Sequence, residues 1–369
     1  MKSMLVITHD TSLSGAPKSL LLLVEELVKR GVDITVIAIV GGGVLEPRFK
    51  SCSSTYYRMD LVSKEVNYSL VARIRFALFG TPFSSAYSRL LAFISNQSFD
   101  FIYANTVVSL PVGLELSKKM RAKLLLHVHE LSTVIQEFCP QLRDYVSEID
   151  LFLVPSQLNK ACLIEGYTIS KDKIEIVREA SDFSYSGVPQ SHATINVLMS
   201  GGAYWRKGDD LFIQVAKRLV HQNPNFRFYW VGFSSPERKR VNTSDIAKLG
   251  LTNYVFFEEE TTNPASWYAN SDLFLLSSRE DPFPLVAIEA GMAGLPIVCF
   301  DKATGIAEVI DPSCVVPYLD IEHMCATICA ITSNSDRMVR LGNENKETFS
   351  AFTGSHIADN VQAILTKIP

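Results

Sequence analysis

The 369-residue sequence has little that would tie it to a membrane, to nucleic acid or to an oxidising compartment. Its longest apolar runs, such as Leu20–Val24 and Leu273–Leu276, fall far short of the ~20 residues that a membrane-spanning helix needs. The start, Met1 to His9, lacks the apolar core and small-residue cleavage site of a signal peptide. Charge of one sign is not in excess either. Lys and Arg number 35 and Asp and Glu 39, for a net charge of -4, so no global basic field exists and nucleic acid is not an expected partner. The seven cysteines are scattered, and only Cys325 and Cys329 are close, one helical turn apart. That pattern lacks the paired clusters of a zinc site and reads as reduced thiols. These absences together lead to the expectation of a cytoplasmic protein, at most peripheral to the inner face of a membrane.

What is present is core material in quantity, 47% hydrophobic residues against 20% charged, on a chain long enough for two domains. Strand and helix patterns alternate throughout. Short apolar runs at Met4–Thr8, Ile34–Val40, Phe101–Ala104, Leu124–Val128 and Leu151–Val154 read as buried strands. Helical spacing separates them at Pro17–Arg30, Leu110–Lys119 and Gln157–Glu165. The polar stretch Glu179–Ala193 is the expected domain boundary. A second series follows, with strands at Ile195–Met199, Arg227–Val231, Tyr254–Phe257, Leu273–Leu276, Pro296–Phe300 and Cys314–Val316, and a helix from Asp209 to about His221. Repeated βα units imply parallel sheets covered on both faces, hence two α/β doubly wound domains of Rossmann-like type, about 1–185 and 190–354. Ligands of such sheets bind beyond the carboxyl ends of the strands.

Four segments carry chemistry. Ser277-Ser278-Arg279-Glu280-Asp281-Pro282-Phe283-Pro284-Leu285-Val286-Ala287-Ile288-Glu289-Ala290 leaves a strand, turns through two prolines and enters a helix. The backbone N–H groups at that helix start, over Phe283 to Val286, form an anion site, and Asp281 and Glu289 could bracket a polar ligand whose phosphates sit there. Read blandly, the two acids are a helix cap and a solvated helix glutamate. Ser200-Gly201-Gly202-Ala203-Tyr204-Trp205-Arg206-Lys207-Gly208 lies between a strand and a helix, where small residues admit a ligand and Arg206 and Lys207 can neutralise a diphosphate. Ser12-Leu13-Ser14-Gly15-Ala16-Pro17 forms the first turn, either a phosphate-approaching loop at Gly15 or a plain turn capped by Ser14. His127-Val128-His129-Glu130 ends a strand, with both imidazoles on one face. His127 reads as structural; His129 reads as functional, as a core histidine, or as half of a metal pair for which the sequence places no third ligand.

Together these segments resemble the retaining GT-B glycosyltransferases of family 4. That family carries two acids with seven residues between them in a pattern of the type E-x-F-G-x-x-x-x-E, which Asp281, Phe283 and Glu289 match, with Asp in place of the first Glu, Glu280 beside it, and Pro284 in place of Gly. Lys207-Gly208 matches the family's G-R-x-x-x-x-K-G segment, although Ala203 stands where its Arg is usual. The resemblance implies a GT-B fold of two facing domains, the first binding the acceptor and the second the nucleotide-sugar donor, with a closing helix at about 355–369 returning to the first. It places Glu289 at the nucleotide ribose, Asp281 or Glu280 beside the donor sugar, Gly15 at the donor phosphate and His129 near the sugar.

Catalytic candidates are therefore His129, Arg206, Lys207 and Asp281, and donor-binding candidates are Gly15, Lys207, Phe283, Pro284, Leu285, Val286 and Glu289. No metal or cofactor is expected, since no strand-end D-x-D motif occurs and the basic residues can take the leaving diphosphate. The expected reaction moves a sugar from a UDP- or GDP-linked donor to a glycan or lipid-linked acceptor in cell-surface polysaccharide synthesis. A sugar-nucleotide epimerase of the same fold and a non-catalytic transferase-like scaffold are the alternatives. Tyr68–Phe93 interleaves Arg73, Arg75 and Arg89 with aromatic and aliphatic residues, and reads as amphipathic helices packed on the sheet or as a surface for a lipid-linked acceptor or an anionic membrane.

Overall fold

The computed structural model of the chain describes residues 3–59, 89–94, 96–185, 193–261 and 263–368. Most of Tyr68–Phe93 lies outside the described residues. No described helix is long and apolar enough to cross a membrane. The chain divides into two compact units: unit 1 is Met1–Ser181 with Thr353–Pro369, and unit 2 is Asp182–Phe352.

Unit 1 is built on β1 (Ser3–Thr8), β2 (Asp33–Ala38), β3 (Thr55–Arg58), β4 (Phe101–Asn105), β5 (Lys123–His127), β6 (Leu151–Val154) and β7 (Ile174–Ile176), all parallel, in the order β3-β2-β1-β4-β5-β6-β7. Side chains alternate across a strand, so β1 feeds two separate cores. Met4 and Val6 join helix Gly15–Lys29 on one face, while Leu5 and Ile7 join helix Leu110–Met120 on the other. Helix Gly354–Lys367 completes the first of these layers with Ile357, Ala358, Val361 and Leu365. Arg30 fixes it from helix Gly15–Lys29, donating to Asp359 Oδ1 at 2.7 Å, Gln362 Oε1 at 3.0 Å and the Ser355 carbonyl at 2.9 Å.

Unit 2 repeats the plan with β8 (Ile195–Ser200), β9 (Phe226–Val231), β10 (Val255–Glu258), β11 (Leu273–Leu276), β12 (Ile297–Phe300) and β13 (Val315–Val316), parallel, in the order β10-β9-β8-β11-β12-β13. One core holds it together, centred on Phe212, Phe228 and Trp230, whose rings meet edge to face at 5.3–5.6 Å.

Both units are doubly wound α/β folds, as the alternating pattern implies. The sequence reading omitted β3 and β7, two short edge strands of four and three residues, and β7 carries Glu175 within its Ile-Glu-Ile run. The polar stretch read as a boundary opens differently from a solvated linker. Glu179, Ala180 and Ser181 are 5%, 1% and 3% exposed, and the Ala180 N–H bonds Ser19 Oγ at 3.2 Å in helix Gly15–Lys29. All seven cysteines are free thiols, and burial pushes Cys325 up to about 11 and Cys139 up to about 12.

Strand order reverses between β1 and β4 in unit 1 and between β8 and β11 in unit 2. A crevice opens beyond the carboxyl ends at such a switch point. The loops that leave three of these strands are segments singled out above, Ser12–Pro17, Ser200–Gly208 and Ser277–Pro284, and β4 ends at Asn105.

Candidate functional site

In unit 2 the fold brings Lys207 to Asp281. After β8 the chain passes Gly201 and Gly202, makes a single 3-10 turn at Trp205–Lys207, and enters helix Asp209–Gln222 through Gly208. Gly208 has φ +73, and a Cβ there would lie 2.1 Å from the Ser277 carbonyl oxygen, so only glycine lets this turn lie against the end of β11. Backbone bonds lock the two loops together: the N–H groups of Arg279 and Glu280 donate to the Arg206 carbonyl at 2.8 and 3.3 Å, and Ser277 Oγ donates to the Lys207 carbonyl at 3.2 Å.

Across this seam the Lys207 ammonium donates to Asp281 Oδ2, which also accepts from Ser278 Oγ at 3.2 Å, and Arg206 Nη1 lies 3.6 Å from Asp281 Oδ1. Asp281 is 4% exposed. Burial works against the Arg206 charge, but Asp281, Tyr204 and Glu280 outweigh it and raise its pKa. Asp281 is thus an ion-pair partner rather than a helix cap, and its carboxylate meets Lys207 and Arg206. Glu280 engages Arg206 through its backbone, accepting from Nη1 at 2.8 Å. A buried pair of this kind stabilises the loops only while both partners stay, because removing one strands the other's charge.

Helix Leu285–Met292 follows, with Pro284 as its N-cap rather than within its first turn. No side chain caps it and no acid occupies its first turn. Phe283 and Leu285 are core residues, 4% and 6% exposed, and Phe283 packs on Phe352 at 5.6 Å. Their side chains belong to the core, which leaves only their backbone to meet a ligand. Glu289 is not solvated. It is 4% exposed, one carboxylate oxygen accepts from the Tyr268 hydroxyl at 3.1 Å, and that hydroxyl also lies 3.3 Å from the Val286 carbonyl. Burial, then Glu289, raises the Tyr268 pKa well above its ordinary value, so the phenol stays a donor. Tyr268 sits 21 residues upstream in a short helix, Ala265–Ala269, with nothing local to mark it.

In unit 1, Gly15 is exposed at the start of helix Gly15–Lys29. Ser14 occupies the N-cap position without a capping bond; its hydroxyl accepts from Ser12 Oγ at 2.9 Å, and Ser12 in turn bonds Asp10. The helix tip is joined to β4 by Asn105, whose Nδ2 donates to the Ala16 carbonyl at 3.2 Å. That bond sets the amide, leaving Oδ1 to face His129 Nε2 at 2.7 Å. The other imidazole nitrogen, Nδ1, lies 2.5 Å from Glu179 Oε1. Thr106, the residue after Asn105, takes φ +79, an uncommon conformation for a β-branched residue, held by its N–H bond to the His127 carbonyl at 2.9 Å.

The two histidines differ although they are two residues apart. Burial, then His129, lowers the His127 pKa well below the ordinary value, and its Nδ1 pairs with the Tyr103 hydroxyl at 2.6 Å. For His129 burial opposes the charge, yet Glu179 and then Glu130 prevail and raise the pKa. Among the described residues, His127, His129 and Glu179 form a group spaced to hold a metal, their ligand atoms within 4.8 Å of one another. The carboxylate is the third ligand type the sequence did not place. Both nitrogens of His129 already face oxygens, however, and a proton on each satisfies that arrangement without an ion.

Glu179 and Tyr268 are the residues that sequence reasoning missed. Glu179 opens the polar stretch Glu179–Ala193 that the composition marks as the domain boundary.

Two doubly wound parallel sheets of Rossmann-like type, one in each unit, make this a GT-B fold. Residues 13–183 match the family model described as Glycosyltransferase Family 4, and residues 194–334 match that of glycosyl transferases group 1. The chain belongs to the GT-B glycosyltransferases. An uncharacterized glycosyltransferase of Haemophilus influenzae is 30% identical over 116 residues, 31% of this chain and 32% of its own length. A lipopolysaccharide core biosynthesis mannosyltransferase of Rhizobium meliloti is 33% identical over 104 residues, 26% of this chain and 28% of its own. The chain thus spans about a third or less of these curated relatives. In fold it is similar to Anabaena HepE, solved with UDP and glucose, at TM-score 0.80 and 17% identity, with both chains covered completely.

Proposed function

We propose that this protein is a retaining, metal-independent transferase that moves a hexose from a UDP- or GDP-sugar to a glycan or lipid-linked acceptor in cell-surface polysaccharide synthesis. The observation that carries this reading is the Lys207–Asp281–Arg206 cluster at the β8/β11 switch point. Breaking a glycosyl–phosphate bond leaves a diphosphate that gains negative charge, and catalysis consists largely of having positive charge in place before it develops. Lys207 and Arg206 supply that charge from a locked seam, together with the uncapped helix start at Leu285. Without a ligand, Asp281 holds Lys207 in position; phosphate oxygens compete for the same ammonium as they arrive. Glu289, pinned by Tyr268, supplies a buried carboxylate for ribose hydroxyls, since an ionised acid is an acceptor only and a diol presents two donors. Asp281, the buried acid of this cluster, is engaged by Lys207, Arg206 and Ser278, and in this reading the departing phosphate itself takes the acceptor proton while attack comes from the same face.

Relatives support the setting: one is a mannosyltransferase of lipopolysaccharide core synthesis, and a protein of the same fold was solved with UDP and glucose. The test is the thermal melting point in metal-free buffer with saturating UDP, GDP, ADP or CMP, followed by donor hydrolysis and transfer assays. A ligand at 100 times its Kd stabilises the native state by about 2.7 kcal/mol. A selective rise with UDP or GDP that disappears in Glu289→Ala supports the donor site. No rise with any nucleotide, and no turnover of any nucleotide sugar, overturns the reading.

A further inference from the structure

We propose that Glu179 is a positioning residue of the transfer reaction: together with Asn105 it holds the His129 ring in place and keeps it an imidazolium whose Nε2–H can be offered to the donor. This rests on the transferase reading above and adds to it a residue outside every motif of the sequence.

The proton count comes first. His129 Nδ1 faces a carboxylate oxygen of Glu179 at 2.5 Å. Its Nε2 faces Asn105 Oδ1 at 2.7 Å, and that oxygen is identified as the acceptor because the same amide donates its N–H to the Ala16 carbonyl. A neutral imidazole has one N–H and would leave a lone pair against an oxygen on one side. With Glu179 a carboxylate, which can only accept, the doubly protonated ring is the state that satisfies both contacts.

The charges facing the ring agree. Glu179 and Glu130 favour the cation; the basic groups around it are His9 and His127, whose pKa values burial lowers, and His9 Nε2 lies 3.7 Å from Asp10 Oδ1. The side chains of His129 and Glu179 are 8% and 6% exposed, so this is a desolvated ion pair in which each member depends on the other.

The two anchors are not equivalent. Glu179 is bound to the ring by charge and follows β7, whose successor Val177 is hydrogen-bonded to β6 and whose Ala180 N–H is tied to Ser19, so its backbone is fixed on both sides. Asn105 is a neutral acceptor at the end of β4, at the switch point and one hydrogen bond from the tip of helix Gly15–Lys29. A phosphate or hydroxyl oxygen of the donor is the stronger or equal acceptor and can take the Nε2–H from Asn105 while Glu179 keeps the ring where it is. The helix start and the imidazolium then present positive charge to one anion. Glu179 itself touches no ligand in this arrangement; it acts through His129.

The experiment has an arm that does not depend on turnover. Nitrogen-15 labelling of the histidines, with assignment from His129→Ala, gives the protonation of His129 across pH. The expected result is an imidazolium that persists above the ordinary histidine range in the wild type and titrates at lower pH in Glu179→Gln, where the amide can still accept at Nδ1 but carries no charge. In transfer assays Glu179→Gln lowers kcat about ten-fold or more and moves the basic limb of the pH profile down, while Glu179→Asp recovers part of both. A His129 that titrates at or below the ordinary value in the wild type overturns the proposal, even if no variant folds. So does a folded Glu179→Gln with unchanged pH profile and kcat. If the wild type turns over no nucleotide sugar while His129 behaves as expected, the transferase reading fails and the charge assignment stands.

Discussion

Each unit places a cation on a carboxylate at the carboxyl edge of its sheet, and the two pairs are built on opposite plans. In unit 2, Lys207 and Asp281 come from the loops after adjacent strands, β8 and β11, and lie in recognisable runs of sequence. In unit 1, His129 and Glu179 come from the loops after β5 and β7, with β6 between them, and only one partner lies in a run that sequence can flag. Lys207 is a flexible point charge that phosphate can draw away from Asp281; His129 is a ring held at two points whose charge state is the variable. One site is tuned by where a charge can move, the other by whether it exists.

The largest expected effect separates the two plans. Lys207→Ala removes charge from the leaving group and should lower kcat/KM about 10²- to 10³-fold, whereas His129→Ala should cost about 10²-fold, measured with the same donor and acceptor. If the order is reversed, unit 1 supplies the dominant electrostatic stabilisation. Next, Glu289→Ala should weaken nucleoside diphosphate binding about 10- to 100-fold by calorimetry, the loss of one or two hydrogen bonds to a charged group, and Tyr268→Phe should weaken it less. Gly208→Ala forces a Cβ against the Ser277 carbonyl in a left-handed turn and should destabilise unit 2 by about 1–2 kcal/mol or more in urea titration, with unit 1 unaffected.

A pH series sharpens the contrast from the other side. His129 has its pKa raised on folding, so its contribution to stability is complete below the ordinary histidine value and is lost as pH rises through the folded one. His127 has its pKa lowered, so its contribution is complete above the ordinary value and is lost as pH falls toward the folded one. Unit 1 should therefore melt highest in a window around neutrality, and Glu179→Gln should cut that window on its alkaline side. The smallest effect is expected of Arg30→Ala, which removes partly exposed bonds to helix Gly354–Lys367 and should cost no more than about 1 kcal/mol.

The fold was largely legible because a parallel sheet buried on both faces leaves uninterrupted apolar runs, and eleven of the thirteen described strands announce themselves that way. β3 and β7 did not, being edge strands too short and too polar to stand out. Legibility of the site followed the same division as the two pairs. Asp281, Glu289 and Lys207 lie in segments whose residues specify one another locally. Glu179 and Tyr268 acquire their meaning from partners 50 and 21 residues away, and Glu179 sits in a polar stretch that composition assigns to a linker. A buried carboxylate at the end of a short edge strand carries no local signature, because what makes it tolerable is a charge brought by another strand.

Helix Gly354–Lys367 packs in unit 1 although 171 intervening residues, Asp182–Phe352, form unit 2. During synthesis from the N-terminus, unit 2 has all of its residues before unit 1 does. The apolar side of helix Gly15–Lys29 against which this helix packs stays open until the ribosome has passed residue 367. Completion of unit 1 thus waits on the whole of unit 2, and a nascent chain stalled anywhere within unit 2 carries an uncovered apolar face for a chaperone to hold.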